Sequence, residues 1–295
     1  MDTNRRWAMV AVALLMSMAI ASTAAATEAL GTGVSIALPS SMQRGPLGAY
    51  FTEPSGHTIV QILVGSKENA VENAPMFRTL YPVGPKQIPR GKAKARLYKR
   101  TRSDNGGGWD GWSYNTLGRD SALNVSVMYT GSDSDWFESF EAVFETLEWD
   151  EQQLDSEQSF QARISVPGLK LVPRQVGALS FTPDGRPGTP VPSLMVQVLP
   201  VTSAQADEVF PAICETDLLK KVAGGEYSGP HMFEGDGISG CDSWGTDKDQ
   251  RMSYVIVLRT EDGAVLSGVG NLAPDSIEAF KASFRNSFLQ MKRLK

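Results

Sequence analysis

Histidine and cysteine are nearly absent from this 295-residue chain, which has two of each: His57 and His231, Cys214 and Cys241. A zinc site needs clustered His, Cys or acidic ligands, and no such spacing occurs. No G-x-S-x-G elbow, phosphate loop or dinucleotide fingerprint is present. Gly106-Gly107-Gly108 is not followed by a helical pattern and reads as a turn. His57 follows Ser55-Gly56 and His231 follows Gly229-Pro230, so both are expected in surface turns. Residue order alone does not exclude a Ser-His-Asp arrangement, but nothing else in the sequence supports one. The acid pairs Asp133-Ser-Asp135 and Asp247-Lys-Asp249 lack EF-hand spacing and are expected to cap or hydrate turns. The expectation is a non-enzyme with no catalytic residue, no cofactor and no metal.

Long apolar runs are also missing, with one exception. Trp7–Ala21 is uncharged, follows Arg5 and Arg6, and precedes the small residues Ala24 and Ala26. A run of this length is short for a membrane span and suits a signal peptide over 1–26, cut after Ala26. The expected location is the periplasm, with no stable membrane span in the mature chain. Without residues 1–26 there remain 26 basic and 32 acidic residues, a net charge of −6. A mildly acidic protein is a poor nucleic-acid binder. The basic cluster Arg90, Lys92, Lys94, Arg96, Lys99, Arg100 and Arg102 is read as a solvated strand-and-turn face.

In an oxidising compartment two cysteines without C-x-x-C spacing read as a structural disulfide, Cys214–Cys241. Closing a loop of this length is worth about 3 kcal/mol on the chain-entropy model.

What the chain does have is an internal repeat. Val60-Gln61-Ile62-Leu63-Val64 matches Val196-Gln197-Val198-Leu199, and Gly48-Ala49 with Phe51-Thr52 matches Gly177-Ala178 with Phe181-Thr182. Ala74 to Arg78 matches Phe210 to Cys214. Gly108-Trp109-Asp110-Gly111-Trp112 matches Gly240-Cys241-Asp242-Ser243-Trp244. Ala122–Tyr129 matches Met252–Arg259, and Glu138-Ser-Phe140-Glu-Ala142-Val-Phe144 matches Glu278-Ala-Phe280-Lys-Ala282-Ser-Phe284. The expected units are 27–150 and 160–295, joined by a polar linker over 151–159. Each opens with a strand closed by proline, at Val34–Leu38 and Ile164–Val166. A helix is expected after Gly65-Ser66 and after Thr202-Ser203, where Ser or Thr can cap. Each unit ends in an amphipathic helix: Trp136, Phe137, Phe140, Phe144 and Leu147 share one face, as do Ile277, Phe280, Phe284 and Phe288. The second is announced by Pro274-Asp275-Ser276. The fold class is α+β, two similar units, each an antiparallel sheet with helices packed on it.

This element order, with the E-x-F-x-A-x-F closing helix, resembles the PsbP-like fold family, here as an exported tandem form. The resemblance implies a protein-binding module without a shared catalytic site. In the repeated Gly-x-Asp-x-Trp segments, Asp110 and Asp242 are expected to accept bonds from turn backbone, and Trp112 and Trp244 to seat on the sheet. A functional alternative makes Trp109, Asp110, Trp112 and Trp244 the candidate partner-binding residues, since aromatics anchor interfaces. If Cys214 bonds Cys241, the matched positions Arg78 and Trp109 should form a cation–π pair in the first unit. The partner expected is another protein, a toxic or lytic enzyme that an immunity or inhibitor protein would neutralise. Alternatives are an envelope assembly factor and a carrier of a small ligand or calcium.

Overall fold

The computed structural model describes residues 26–29, 31–90, 93–102, 108–188, 190–216, 227–235, 237–246, 252–273 and 276–294. The expected signal peptide, the Asp247-Lys-Asp249 pair, Gly106-Gly107 and Pro274-Asp275 lie outside the described residues.

In chain order the first half runs β1 Ala26–Ala29, β2 Val34–Ala37, β3 Gln43–Arg44, β4 Tyr50–Thr52, β5 Thr58–Ser66, a 3-10 turn Val71–Asn73 and α1 Phe77–Leu80. It continues with β6 Val83–Arg90, β7 Ala93–Arg100, β8 Asp110–Leu117, β9 Ser121–Tyr129, α2 Ser134–Glu145 and β10 Glu148–Trp149. A 3-10 turn Glu151–Gln153 and α3 Ser156–Phe160 follow, in the segment expected as a linker. The second half has β11 Ala162–Arg163, β12 Lys170–Leu171, β13 Ala178–Thr182, β14 Ser193–Leu199 and α4 Ser203–Thr216. It ends with β15 Tyr227–Gly235, β16 Ile238–Thr246, β17 Met252–Thr260, β18 Val265–Leu272, α5 Ile277–Leu289 and β19 Lys292–Arg293.

Two seven-stranded antiparallel sheets result, ordered β3-β4-β5-β9-β8-β7-β6 and β12-β13-β14-β18-β17-β16-β15. The protein is therefore a two-unit α+β arrangement. In each unit the opening strand stays out of the large sheet and pairs with the strand after the closing helix: β2 with β10, β11 with β19. The second opening strand differs from expectation. Its ladder is Ala162–Arg163, while Ile164 and Val166 are buried without strand pairing before Pro167.

Each sheet carries helices on both faces. α2 buries Phe137, Phe140 and Phe144 on the first sheet, and α5 buries Phe284 and Phe288 on the second. These rings meet sheet tyrosines, Tyr114 stacking on Phe144 at 5.8 Å and Tyr254 meeting Phe284 edge-on at 5.8 Å. Asp133 caps α2 by accepting from the amides of Asp135 and Trp136 at 3.0 Å each. On the opposite face of the second sheet, α4 presents Ala206, Phe210 and Cys214 at i, i+4, i+8 to Cys241, Val257 and Val265. Its start is a capping box: Gln205 N donates to Thr202 Oγ1 at 3.2 Å, and Thr202 N donates to Gln205 Oε1 at 2.9 Å. Cys214 and Cys241 are bonded, with Cα atoms 5.9 Å apart. The corresponding element in the first unit is shorter and later than expected. After Ser66 comes the 3-10 turn and then the four residues of α1, with Phe77 and Tyr81 on the sheet beside Tyr98.

The two units grip each other reciprocally. Gly48, entering β4, faces Val198 of β14, and Gly177, entering β13, faces Leu63 and the Ile62 carbonyl of β5. Val64 and Val176 exchange two backbone bonds of 3.1 Å across the seam. Leu47 and Tyr50 of the first half are fully buried in the second unit's core, and the Tyr50 hydroxyl donates to Val201 O at 2.9 Å. Both glycines have positive φ, +76° and +88°. A Cβ on Gly177 would stand 2.2 Å from Leu63 Cδ2. Gly177→Ala is expected to lower stability by about 2 kcal/mol or more, combining left-handed strain with overpacking. Gly168→Ala, at φ +77° with nothing within 4 Å, is expected to show the strain alone, about 1 kcal/mol. Urea denaturation of the two variants compares them, and equal costs would remove the seam contact from this account.

Candidate functional site

The four aromatic and acidic candidates do not form one surface. Trp112 is buried at 4 % exposure in the core beneath α2; its Nε1 donates to Phe137 O at 3.1 Å and its ring stacks on Phe137 at 5.5 Å. It is therefore unavailable to a partner, a correction to its candidacy. Trp244 lies half-buried on the second sheet, between His231, stacked at 4.5 Å, and Lys281 of α5, 4.0 Å from the ring centroid. Trp109 is half-buried on the opposite face of the first sheet from Trp112, where Tyr81 meets its edge at 6.1 Å and the Arg100 guanidinium lies 3.8 Å over its ring. Asp110 accepts from the Arg102 amide at 2.7 Å and from Arg102 Nε at 2.9 Å, the backbone-bonding role expected of it.

Asp242 departs from expectation. It sits in mid-strand, 1 % exposed. Its Oδ2 accepts from Arg285 Nη2 at 2.6 Å, Arg285 Nε at 3.1 Å and the Tyr254 hydroxyl at 2.7 Å. Its Oδ1 has no partner among the described residues. Burial, then the adjacent Asp242 carboxylate, holds the Tyr254 hydroxyl well above its ordinary pKa.

The repeat is also shifted by one strand from its sequence match. Hydrogen-bonded partners across the first sheet run Gln61, Ser126, Ser113, Tyr98, and across the second Gln197, Ser267, Val257, Cys241. Because Gln61 and Gln197 are matched, Tyr98 on β7 is the counterpart of Cys241, and β8 corresponds to β17. Gly108–Trp112 on β8 and Gly240–Trp244 on β16 therefore occupy different strands of the unit. The same shift separates Ala122–Tyr129 on β9 from Met252–Arg259 on β17. The expected Arg78–Trp109 pair gives way accordingly. Arg78 lies over Tyr98, 5.0 Å from the ring centroid, so a cation–π contact does stand where the second unit has its disulfide.

One row over, Lys99 corresponds to Asp242. Lys99 pairs with Glu138 of α2 and Asp242 with Arg285 of α5, so the strand-to-helix ion pair is kept with its polarity reversed. The sequence did hold a usable register mark. Gly84-Pro85 and Gly229-Pro230 both fall at a register shift in an outer edge strand, β6 and β15. Proline there removes a donor from an open edge.

The two histidines stand apart from each other, one in each unit. His57, exposed in its turn, has Nδ1 3.3 Å from Thr130 Oγ1. His231 is exposed but lies on β15, not in a turn, with Nε2 3.0 Å from Ser228 Oγ. No carboxylate is bonded to its ring among the described residues. Groups of three or more metal-ligating side chains are likewise absent among the described residues. No described helix is long and apolar enough to cross a membrane. In the basic segment, Arg96 pairs with Glu72 and Arg102 with Asp110, like Lys99 with Glu138.

No protein-family model and no curated protein matches the chain. Among solved structures, the immunity protein TplEi of T6SS from Pseudomonas aeruginosa, in its apo form, aligns over 86% of this chain and 97% of its own, at 8% identity and a TM-score of 0.30. A chain of the Tle4–Tli4 complex aligns over 86% and 98%, at 8% identity and a TM-score of 0.29. A chain named as a thioesterase II from Thermobifida fusca YX aligns over 78% and 98%, at 8% identity and a TM-score of 0.18. At scores this low, none of the three establishes a shared fold or activity.

Two predictions follow from the buried groups. Arg285→Leu strands the Asp242 carboxylate and is expected to cost about 2–3 kcal/mol, the partial exposure of Arg285 screening the pair. Adding Asp242→Asn is expected to recover at least half of that loss in a urea double-mutant cycle; an additive double variant would show the pair to be uncoupled. Burial also pushes Tyr50 and Tyr81 up to about 12, the Arg100 charge opposing it at Tyr81. A raised folded pKa means stability that is complete below the unfolded value, about 10, and lost as pH rises toward the folded one. The unfolding midpoint is therefore expected to fall between about pH 10 and 12, and less steeply in Tyr50→Phe; a flat profile there would contradict the burial of these hydroxyls.

Proposed function

We propose that this protein is an exported, non-enzymatic module that binds another protein in the periplasm, as an immunity or inhibitor protein that neutralises a toxic or lytic enzyme. The observation that carries the proposal is the flank of the first unit around α1. Met76 and Val83, on either side of the helix, are 69 % and 52 % exposed. They border the Phe77–Tyr81–Trp109 cluster, with Arg100 stacked on Trp109. Arg100 is itself buried and braces Trp109 from beneath, so the surface open to a partner is the half-buried tryptophan with the exposed methionine and valine, an aromatic and apolar patch of the kind that anchors interfaces. Lys86, Arg96, Lys99 and Arg102 of the basic segment are paired with acids of the same chain, so the fitting partner is one that presents a complementary apolar patch.

Asp110 is engaged with Arg102, Asp242 with Arg285, and the cysteines with each other. The buried disulfide suits an oxidising compartment, in keeping with a signal peptide over 1–26. The proposed units, 27–150 and 160–295 about the 151–159 segment, are read as PsbP-like on their order of opening strand, sheet and closing helix.

Affinity capture with the tagged mature protein, from its own envelope and from competing strains, identifies the enzyme. Equimolar purified protein is then expected to abolish that enzyme's activity. Met76→Asp and Trp109→Ala are expected to weaken binding at least tenfold with the fold intact, while Met232→Asp, on β15 of the other unit, leaves it unchanged. Binding indifferent to Met76 and Trp109 moves the site elsewhere. A bound enzyme that keeps its activity overturns the inhibitor reading.

A further inference from the structure

The two copies of the unit differ most on the face that carries α4 in the second and α1 in the first. In the second sheet the seat of α4 is apolar, with Val257 and Val265 under Phe210. Tracing the same sheet rows, their counterparts in the first sheet are Ser113 and Asn124. Both are buried, at 0 % and 4 %, beside Asn115 at 5 %. Valine to serine or asparagine under a helix is a costly exchange unless the polar groups are bonded. Here they bond one another: Asn124 Nδ2 donates to Ser113 Oγ at 2.8 Å and to Asn115 Oδ1 at 3.0 Å, and Asn115 Nδ2 donates to Ser113 Oγ at 3.1 Å.

A pocket of about 300 Å³ stands over Asn115 and Asn124, walled by Leu63 and by the 3-10 turn at Val71 of the first unit and closed from the second by Val176–Ala178 and Gln197, while Ser113 supports the two asparagines without lining it. Asn124 Oδ1 and the Gln61 amide, both lining it, have no hydrogen-bond partner among the described residues. Both groups are open to the pocket, where a ligand's donors and acceptors can reach them. The only ionisable side chain on the wall, Glu72, is paired with Arg96 and accepts from the Tyr98 hydroxyl.

We propose that this seam pocket binds a small, neutral, amide-bearing ligand, of the class of a short peptide without free charges. The amides of Gln61, Asn69, Asn115, Asn124 and Gln197 offer donors and acceptors together, as a peptide group requires. No aromatic ring lines the pocket, which disfavours a sugar ring that would stack. With Glu72 neutralised, nothing calls for a charged ligand. The volume lies at the lower end for ligand pockets and suits a capped dipeptide.

The test is titration of the full mature protein with N-acetyl-alanyl-alanine amide, followed by the side-chain amide NMR signals of Asn115 and Asn124. Saturable shifts with a dissociation constant below about 10 mM are expected. Asn124→Val, the residue of the other unit, is expected to weaken binding at least tenfold. Gly65 lines the pocket and has nothing within 4 Å of where a Cβ would stand. Gly65→Leu is therefore expected to fill the space and abolish the shifts with the asparagine floor untouched. Absence of saturable shifts in a folded protein overturns the proposal. Tighter saturation by N-acetylglucosamine overturns the ligand class, and binding that survives Gly65→Leu overturns the location.

Discussion

The approach of Gly48 to Val198 and of Gly177 to Leu63 is the contact on which the rest of the arrangement depends. The two contacts are counterparts, since β5 and β14 hold the same place in their sheets. A self-complementary contact between two copies of one unit has the geometry of an isologous dimer written into one chain. It demands glycine twice, for the positive φ and for the missing Cβ, which is why Gly-Ala recurs at both positions. Closing it puts Leu47 and Tyr50 of one unit into the core of the other. Burial of that kind makes the pair a single packed body and fixes the wall of the pocket between the units.

Within that frame, each unit fastens its elements to its sheet with different chemistry at the same places. α4 is held by a disulfide where α1 has Arg78 over Tyr98. α5 is held by Asp242–Arg285 where α2 has Lys99–Glu138. The covalent bridge constrains the unfolded chain by about 3 kcal/mol, whereas a cation–π contact supplies about 1 kcal/mol. The difference agrees with the size of what is held: fourteen residues of α4 against four of α1. The first unit adds an aromatic cluster, Phe77, Tyr81, Tyr98 and Trp109, in place of the covalent link.

Those substitutions explain which parts of the architecture could be read from the sequence. The closing helices were legible because phenylalanine at helical spacing has one physical meaning, burial of a stripe, and both copies need it. Val60–Val64 and Val196–Leu199 were legible because central strands have little freedom of composition. The middle of the unit was not. Cys241 and Tyr98 share no chemistry, nor do Asp242 and Lys99, although each pair does one job. With the true counterparts chemically unlike, a chance Gly-x-Asp-x-Trp likeness between β8 and β16 displaced the match by one strand. Edge geometry carried the better signal, Gly-Pro at the bulge of β6 and of β15, because an open edge constrains both copies in the same way. Of the candidate site, Asp110 could be read because its bonds are local. The burial of Trp112 could not, since it is set by α2 arriving from a distant part of the chain.

The same comparison separates scaffold from function more sharply than either unit alone. Where the copies keep one role with changed residues, as at the strand-to-helix ion pair, selection has preserved a mechanical part. Where the role itself is lost, as at the valine seat replaced by Ser113 and Asn124, stability gives no reason for the change. A buried asparagine floor is harder to satisfy than valine, and here its members stay paired only by bonding one another. Met76 and Val83 pose the same question on the outside, since solvent gains nothing from either. Both departures lie in the first unit, on the side that carries its shortened helix. The second unit, closed by its disulfide and full-length α4, then serves as the rigid half against which the first can carry open surface.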